Sequence, residues 1–203
     1  MRKIITTTFL SLDGVMQAPG GPEEDTVGGF KYGGWTFSYW DEMMGGVMGG
    51  FIDLPFELLL GRKTYDIFAG YWPDAKDDFQ IKEKFNANKK YVVSHNKLEL
   101  AWNNSELITG DVVKKIQDLK SQDGPDLWVH GSGNLIQTLL AEQLIDRMHV
   151  WLFPVTIGQG KRLFAEGTLA QGLKLVETKT ASTGVIIATY EPAGELKTGT
   201  IGS

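Results

Sequence analysis

The sequence predicts an α/β protein, one domain on a mainly parallel sheet flanked by helices, with an antiparallel edge near its C-terminal end. Two observations carry this. From residue 4 to residue 144, β-branched or aliphatic runs alternate with stretches of helical period, the pattern of βαβ units joined by right-handed crossovers. From residue 148 onward, three strand-like runs follow with no helix between them, as in a terminal antiparallel pair. No repeat or linker divides the chain, so residues 1–191 read as a single domain and 192–203 as a flexible tail.

The first strand covers residues 4–10, where Ile4, Ile5 and three consecutive threonines make a β-branched run. Asp13 and Gly14 end it. A Gly/Pro-rich loop then runs to about residue 34, a length that in a compact domain points to function or disorder. Ser38 is the expected cap of the next helix, with Asp41 in its first turn. There Trp40, Met43, Met44, Val47, Met48 and Phe51 fall on one helical face. Gly45, Gly46, Gly49 and Gly50 weaken this helix but admit a closely approaching ligand or backbone.

Glu57, Leu58, Leu59 and Leu60 form a buried strand cut off by Gly61. Tyr65, Phe68, Ala69 and Trp72 mark the following helix, which Pro73 stops. Residues 91–93 read as a short strand, 111–120 as a helix with Val112, Ile116 and Leu119 inward, and 127–129 as a strand. A turn at 131–133 leads into a helix with Leu135, Ile136, Leu139, Leu140 and Leu144 on one face, and strands follow at 148–153, 173–180 and 185–190.

Composition bounds the function. The formal net charge of −5 argues against bulk binding of nucleic acid or an anionic membrane, while leaving room for one basic pocket. With no cysteine there is no disulfide, no thiolate nucleophile and no cysteine-ligated metal. His95, His130 and His149 lie 35 and 19 residues apart with no His-x-x-x-His pair, so no metal is expected, and His149 reads as a core or interface residue. No Gly-x-Ser-x-Gly elbow occurs. The apolar stretch after Arg2 and Lys3 holds three threonines and runs into Asp13, so it reads as a strand rather than a signal peptide. No apolar run approaches the roughly 18 residues of a membrane span, and a cytoplasmic protein is the expectation.

Four motifs could carry chemistry. Gly61, Arg62, Lys63 and Thr64 stand between a strand and a helix, where free N–H groups and the helix dipole favour an anion. They fit equally a plain helix start with solvated basic residues, and Phe56 at the leading-glycine position rules out a Walker A loop. Gly131, Ser132, Gly133, Asn134 and Leu135 form a second such turn, with Ile136 where a dinucleotide fingerprint has its third glycine, and alone they fit a plain structural turn equally well. Ser94, His95, Asn96 and Lys97 follow a strand and suit an adenosine ribose or its 2′-phosphate, or else form an ordinary polar turn. Asp13, in Ser11-Leu12-Asp13-Gly14, is either an acid at the carboxyl edge of the sheet or a turn former.

In this order the motifs resemble the dihydrofolate reductase-like superfamily. Within it, the chain is most similar to the C-terminal reductase domain of the bifunctional riboflavin-biosynthesis protein and its stand-alone bacterial relatives. The similar stretches are Ser11-Leu12-Asp13-Gly14, Leu58-Leu59-Leu60-Gly61-Arg62-Lys63-Thr64-Tyr65, Lys90-Tyr91-Val92-Val93-Ser94, Leu127-Trp128-Val129-His130-Gly131-Ser132-Gly133, and the run from Pro154 to Phe164. The resemblance implies a three-layer α/β/α fold that binds NADPH. The two glycine turns would hold its phosphates, and Ser94 and His95 its adenosine end. It implies reduction of a small heterocyclic or sugar-derived substrate, in the manner of 5-amino-6-(5-phosphoribosylamino)uracil reductase. Dihydrofolate reduction and a non-catalytic nucleotide-binding or structural dimer are the alternatives.

Asp13 matches the acid of riboflavin-type reductases. The first-helix acid of folate reductases has no clean counterpart, leaving Asp41 at the border of a cleft and Glu42 toward water. No deaminase partner domain is expected within these residues, since its zinc signature needs cysteine. Residues 148–153 are largely apolar on both faces and need cover on both. Because related reductases pair through this part of the sheet, a homodimer is expected.

Overall fold

The first strand, β1 (Ile4–Ser11), lies inside the sheet rather than at its edge, as a β-branched run buried on nearly every residue requires. The protein is described here by a computed structural model covering residues 1–76 and 81–201. After β1 come α1 (Glu42–Ile52), β2 (Phe56–Gly61), α2 (Arg62–Tyr71), α3 (Ile81–Ala87), β3 (Lys90–Val93) and β4 (Ser105–Ile108). The chain continues through α4 (Val112–Ser121), β5 (Asp126–His130), α5 (Gly133–Ala141), β6 (Arg147–Phe153), β7 (Gln171–Thr180) and β8 (Ile186–Glu195).

Among the described residues, eight strands form one sheet in the order β4-β3-β2-β5-β1-β6-β8-β7. The first six in that order run parallel, while β8 pairs antiparallel with both β6 and β7. Side chains alternate across β1. Ile4 and Leu10 face a core with α4 and α5, where Ile116, Leu119, Ile136 and Leu139 are buried. Ile5 faces the opposite core, with Met44, Met48 and Ile52 of α1, Tyr65 of α2 and Phe85 of α3. This is the predicted three-layer α/β architecture with its antiparallel end.

Local details differ where local signals compete. Asp41, not Ser38, caps α1, because its carboxylate accepts from Met44 N at 2.9 Å, while Ser38 sits in a preceding 3-10 turn. The sequence reading missed β4 and α3: β4 buries little and α3 is 7 residues long. The strand expected to stop at Tyr190 continues as β8 to Glu195, paired with β7 through Pro192 and beyond the expected domain end at 191.

β6 is hydrogen-bonded to β1 along one edge and β8 along the other; on one face His149, Trp151 and Phe153 are buried, while on the other Met148 is buried and Val150 and Leu152 are half-buried. Among the exposed apolar side chains are three on the edge strand β7, where Leu173, Leu175 and Val176 are 39–49% exposed. No helix among the described residues is long and apolar enough to cross a membrane.

Candidate functional site

A cleft of about 1170 Å³ opens where the carboxyl ends of β1, β2, β3 and β5 meet, the position at which α/β sheets bind ligands. The glycine turns before α2 and α5, the segment after β3 and the loop after β1 all contribute to its wall.

The two glycine turns are built as one. Ser132 Oγ accepts from Gly61 N at 2.9 Å and donates to Thr64 Oγ1 at 2.7 Å. A Cβ on Gly61 would lie 3.2 Å from Ser132 Cβ and Oγ, so glycine permits this approach. Gly131 and Ser132 both take positive φ, +59° and +64°; for serine this is an uncommon, costly conformation that turns the chain directly into α5.

Helix capping separates these two helices from their neighbours. α1 and α4 are capped by Asp41 and Asp111, whereas neither Gly61 at the start of α2 nor Ser132 at the start of α5 makes a side-chain cap. Their first N–H groups, with the positive ends of two helix dipoles, are thus left for a ligand on the cleft wall.

All eleven residues predicted to bind a cofactor line this one cleft: Gly61 to Thr64, Ser94, His95, and Gly131 to Leu135. Ser94 is buried, its N–H bonded to Ile108 O, and its Oγ accepts from Asn96 N at 3.2 Å. Arg62 reaches one turn forward along α2 to Asp66, with Nε 2.6 and 2.8 Å from the carboxylate oxygens, so part of its charge is spent within the helix.

The acids proposed from sequence stand elsewhere. Asp13 accepts from Ser11 Oγ at 2.6 Å, Ile157 N at 3.1 Å and Gly158 N at 2.7 Å, and Arg162 lies 3.7 Å away. The Ser11 bond, aided by these backbone donors, holds its carboxyl down at about 2, so it is ionised at neutral pH and has no proton to give. Asp41 is spent on Met44 N and on Ser182, whose N and Oγ lie 2.9 and 2.7 Å from Oδ2. Neither aspartate lines the cleft.

Two other groups do, and the sequence did not single them out for chemistry. Glu24, in the loop after β1, accepts from Gly20 N at 2.6 Å and Gly21 N at 3.2 Å, and burial pushes its carboxyl pKa up. His130 closes β5 among Phe68, Phe85 and Trp128, with ring centroids 5.2–6.3 Å away. Sheet register sets Thr7 beside both His130 and His149, and His149 beside Thr189, giving a polar row across four strands. His149 is a core residue, its Nδ1 2.9 Å from Thr189 Oγ1 and its ring stacked on Phe51 at 4.2 Å. Burial lowers both histidines to about 4, so both are neutral at pH 7.

The loop after β1 is stitched to the loop after β6. Lys161 N donates to Gln17 Oε1 at 3.0 Å, Lys161 pairs with Asp25, and Val15 bridges Arg162. No group of His, Asp or Glu suited to a metal ion occurs among the described residues.

The family model described as RibD C-terminal domain matches residues 2–187. YyaP of Bacillus subtilis is 33% identical over 136 residues, which cover 66% of this chain and 72% of YyaP. YwjB of the same organism is 34% identical over 61 residues, 30% of this chain and 35% of YwjB. A putative riboflavin biosynthesis protein from Shewanella sp. PV-4 superposes with a TM-score of 0.70 at 23% identity, covering 94% of this chain and 98% of that one. A pyrimidine reductase-like protein from Corynebacterium diphtheriae gives 0.66 at 11% identity, covering 96% and 93%. Dihydrofolate reductase from Enterococcus faecalis, solved with NADP(H), gives 0.59 at 13%, covering 94% and 96%. At these identities the solved structures establish a shared fold.

Proposed function

The chain belongs to the RibD C-terminal domain family, a family of reductases, and from that membership we propose that it is an NADPH-dependent reductase of a small heterocyclic or sugar-derived substrate. One observation carries the cofactor reading. The starts of α2 and α5 lack side-chain caps, are joined through Ser132, and open together on the cleft. Two adjacent sets of free N–H groups suit the two phosphates of a dinucleotide. Ser94 and His95 would flank its adenosine end, with Lys63 supplying positive charge at the start of α2. NADPH, when bound, supplies the hydride; the chain orients both reactants and excludes water.

Reduction of the ribosyl carbonyl of a pyrimidine riboflavin precursor is the activity we assign by family, with dihydrofolate as the alternative substrate. A nucleotide-binding protein without turnover is a second reading, favoured by the placement of Asp13 and Asp41 outside the cleft. An NADPH-oxidation screen across candidate substrates, with NADH as control, tests the enzyme reading. Calorimetry with NADP⁺ tests the cofactor reading separately.

We also propose a homodimer, formed through β7. Its outer edge has unpaired backbone groups and the exposed Leu173, Leu175 and Val176. An edge strand with unpaired backbone and exposed apolar side chains is a template for a second chain, even one that also carries Lys174, Glu177 and Lys179.

A further inference from the structure

Lys90 opens β3 and is fully buried, an exceptional place for a lysine. Its side chain lies on the sheet face that meets α2 and α3, the face to which Val92, two residues on, also belongs. There its ammonium donates to Asn86 O at 3.1 Å, Asn88 O at 2.8 Å and Asn103 O at 3.1 Å, which uses all three of its protons. It also stands 4.4 Å from the centre of the Trp102 ring. Burial alone pushes its pKa down, to about 8, so the charge persists at pH 7. No charged side chain contributes to that shift; carbonyl dipoles and one aromatic face hold the cation.

The partners of Lys90 belong to the parts of the chain that build one wall of the cleft. Asn86 and Asn88 stand at the end of α3, whose Ile81 and Phe85 line the cleft. Asn103 belongs to residues 94–104, which join β3 to its parallel neighbour β4 without a helix. Such crossovers are usually helical, and an irregular one must satisfy its backbone by other means. Here Lys90 N donates to Asn104 O at 2.9 Å, Trp102 N to the Tyr65 hydroxyl at 2.9 Å, and Trp102 Nε1 to Asn86 Oδ1 at 2.6 Å. Tyr65 follows Thr64 in the first turn of α2, and Asn86 Nδ2 donates to Trp72 O, just past the end of α2, at 3.2 Å. One network therefore joins β3, both ends of α2, α3 and the crossover whose first residues, Ser94, His95 and Asn96, line the cleft.

We infer that Lys90 is a positioning residue of the cleft, a built-in cation that draws α3 and residues 94–104 together and so sets where Ser94, His95 and Asn96 stand. Lys90 itself is not part of the cleft lining. The inference rests on the cofactor reading for the ligand this wall receives, the adenosine 2′-phosphate end, and adds how the wall is held. Without the ammonium, three buried carbonyls converge on one point with no donor between them, and α3 and the crossover separate.

The test compares Lys90→Met and Trp102→Phe with the wild type and with Leu119→Ala, a destabilised control in the core beneath α4. Binding of adenosine 2′,5′-bisphosphate to the full chain is measured by calorimetry at pH 7, well below every melting temperature. Amide hydrogen exchange is followed in the same four proteins. Lys90→Met should weaken binding 5- to 20-fold and speed exchange in α3 and residues 94–104, while α4 and α5 keep their protection. Leu119→Ala should stay within twofold of the wild type in affinity.

Trp102→Phe keeps an aromatic face beside the ammonium and loses the bond to Asn86. It should weaken binding 2- to 5-fold with the same local pattern of exchange, and it decides the matter if Lys90→Met does not fold. An affinity no weaker than that of Leu119→Ala, or exchange sped evenly across the molecule, overturns the inference and leaves Lys90 a purely structural residue. If the wild type does not bind adenosine 2′,5′-bisphosphate, the cofactor reading falls and exchange alone decides. Loss of protection confined to α3 and residues 94–104 then supports the positioning role, and an even or absent change overturns it.

Discussion

Ser132 Oγ accepts the Gly61 N–H at 2.9 Å, so two turns 71 residues apart in sequence form a single wall of the cleft. One hydroxyl sets the spacing between the first N–H groups of α2 and those of α5. The proposed cofactor site is therefore a property of the pair of turns rather than of either one.

Ser132→Ala removes that link and leaves a partly buried N–H without its partner, at about 1–3 kcal/mol. In a domain of this size the melting temperature should fall by roughly 2–4 °C per kcal/mol. NADPH affinity should fall about tenfold, because the two helix starts are no longer held in register. Calorimetric titration beside thermal unfolding checks both. An unchanged NADPH affinity would show that the turns bind independently or not at all.

Asp13→Asn should act on stability before chemistry. The carboxylate gathers Ser11 Oγ, Ile157 N and Gly158 N, and the amide loses the charge that strengthens these bonds. A loss of about 1–3 kcal/mol in urea unfolding is expected, with faster proteolysis of the loop after β6. With a working substrate, the pH profile of turnover should keep its shape. A profile in which one limb disappears would restore Asp13 as a proton-handling group.

Acid should destabilise the protein in two stages. His149 is 5% exposed and titrates near 4 when folded against 6.5 in the open chain. Its contribution is complete above pH 6.5 and is lost as pH falls toward 4, on the order of 3 kcal/mol. His130 shifts in the same direction for the same reason, burial. Asp13, depressed from 3.8 to about 2, keeps its contribution above pH 3.8 and loses it as pH falls through 2. Urea midpoints should therefore decline between pH 6.5 and 4 and again below 4. His149→Gln should roughly halve the upper stage, since His130 still titrates in the same window, and a wild-type midpoint constant from pH 7.5 to 4 would contradict the account.

The β7 edge makes the assembly testable with one substitution. Light scattering of the wild type should give twice 22.5 kDa at micromolar concentration. Leu175→Lys places a charge on a side chain 49% exposed, which costs the folded chain little and should leave a 22.5 kDa particle. A wild type that is itself monomeric would leave β7 as an unpaired edge.

The parts of the site legible in the sequence are those encoded within a few consecutive residues. Gly61 to Thr64 and Gly131 to Leu135 each follow a strand and open a helix, and the structure brings both to the same cleft. The acids were not legible in this way. Asp13 is assigned by two N–H groups from 144 and 145 residues away, and Asp41 by Ser182, 141 residues away, so neighbouring sequence says little about either. The Thr7, His130, His149 and Thr189 row likewise exists only through the register of four strands. For β4 and for β8 beyond Tyr190 the reason is different: β4 is four residues long with only Ile108 buried, and β8 past Glu191 is exposed, so the alternation that marks a half-buried strand never develops.

The place of β1 in the sheet has a consequence for how the protein is made. Both strands that flank residues 4–11, β5 and β6, are synthesised more than a hundred residues after them. Until then Ile4, Ile5 and Leu10 have no sheet to enter, and β2 waits for β5 as well. Closure of the central sheet is a long-range event with a large loop entropy to overcome, which slows folding and exposes apolar strands on the way. Pausing translation before residue 126 should leave a nascent chain dependent on chaperones, and release past residue 153 should let β2, β5, β1 and β6 close together.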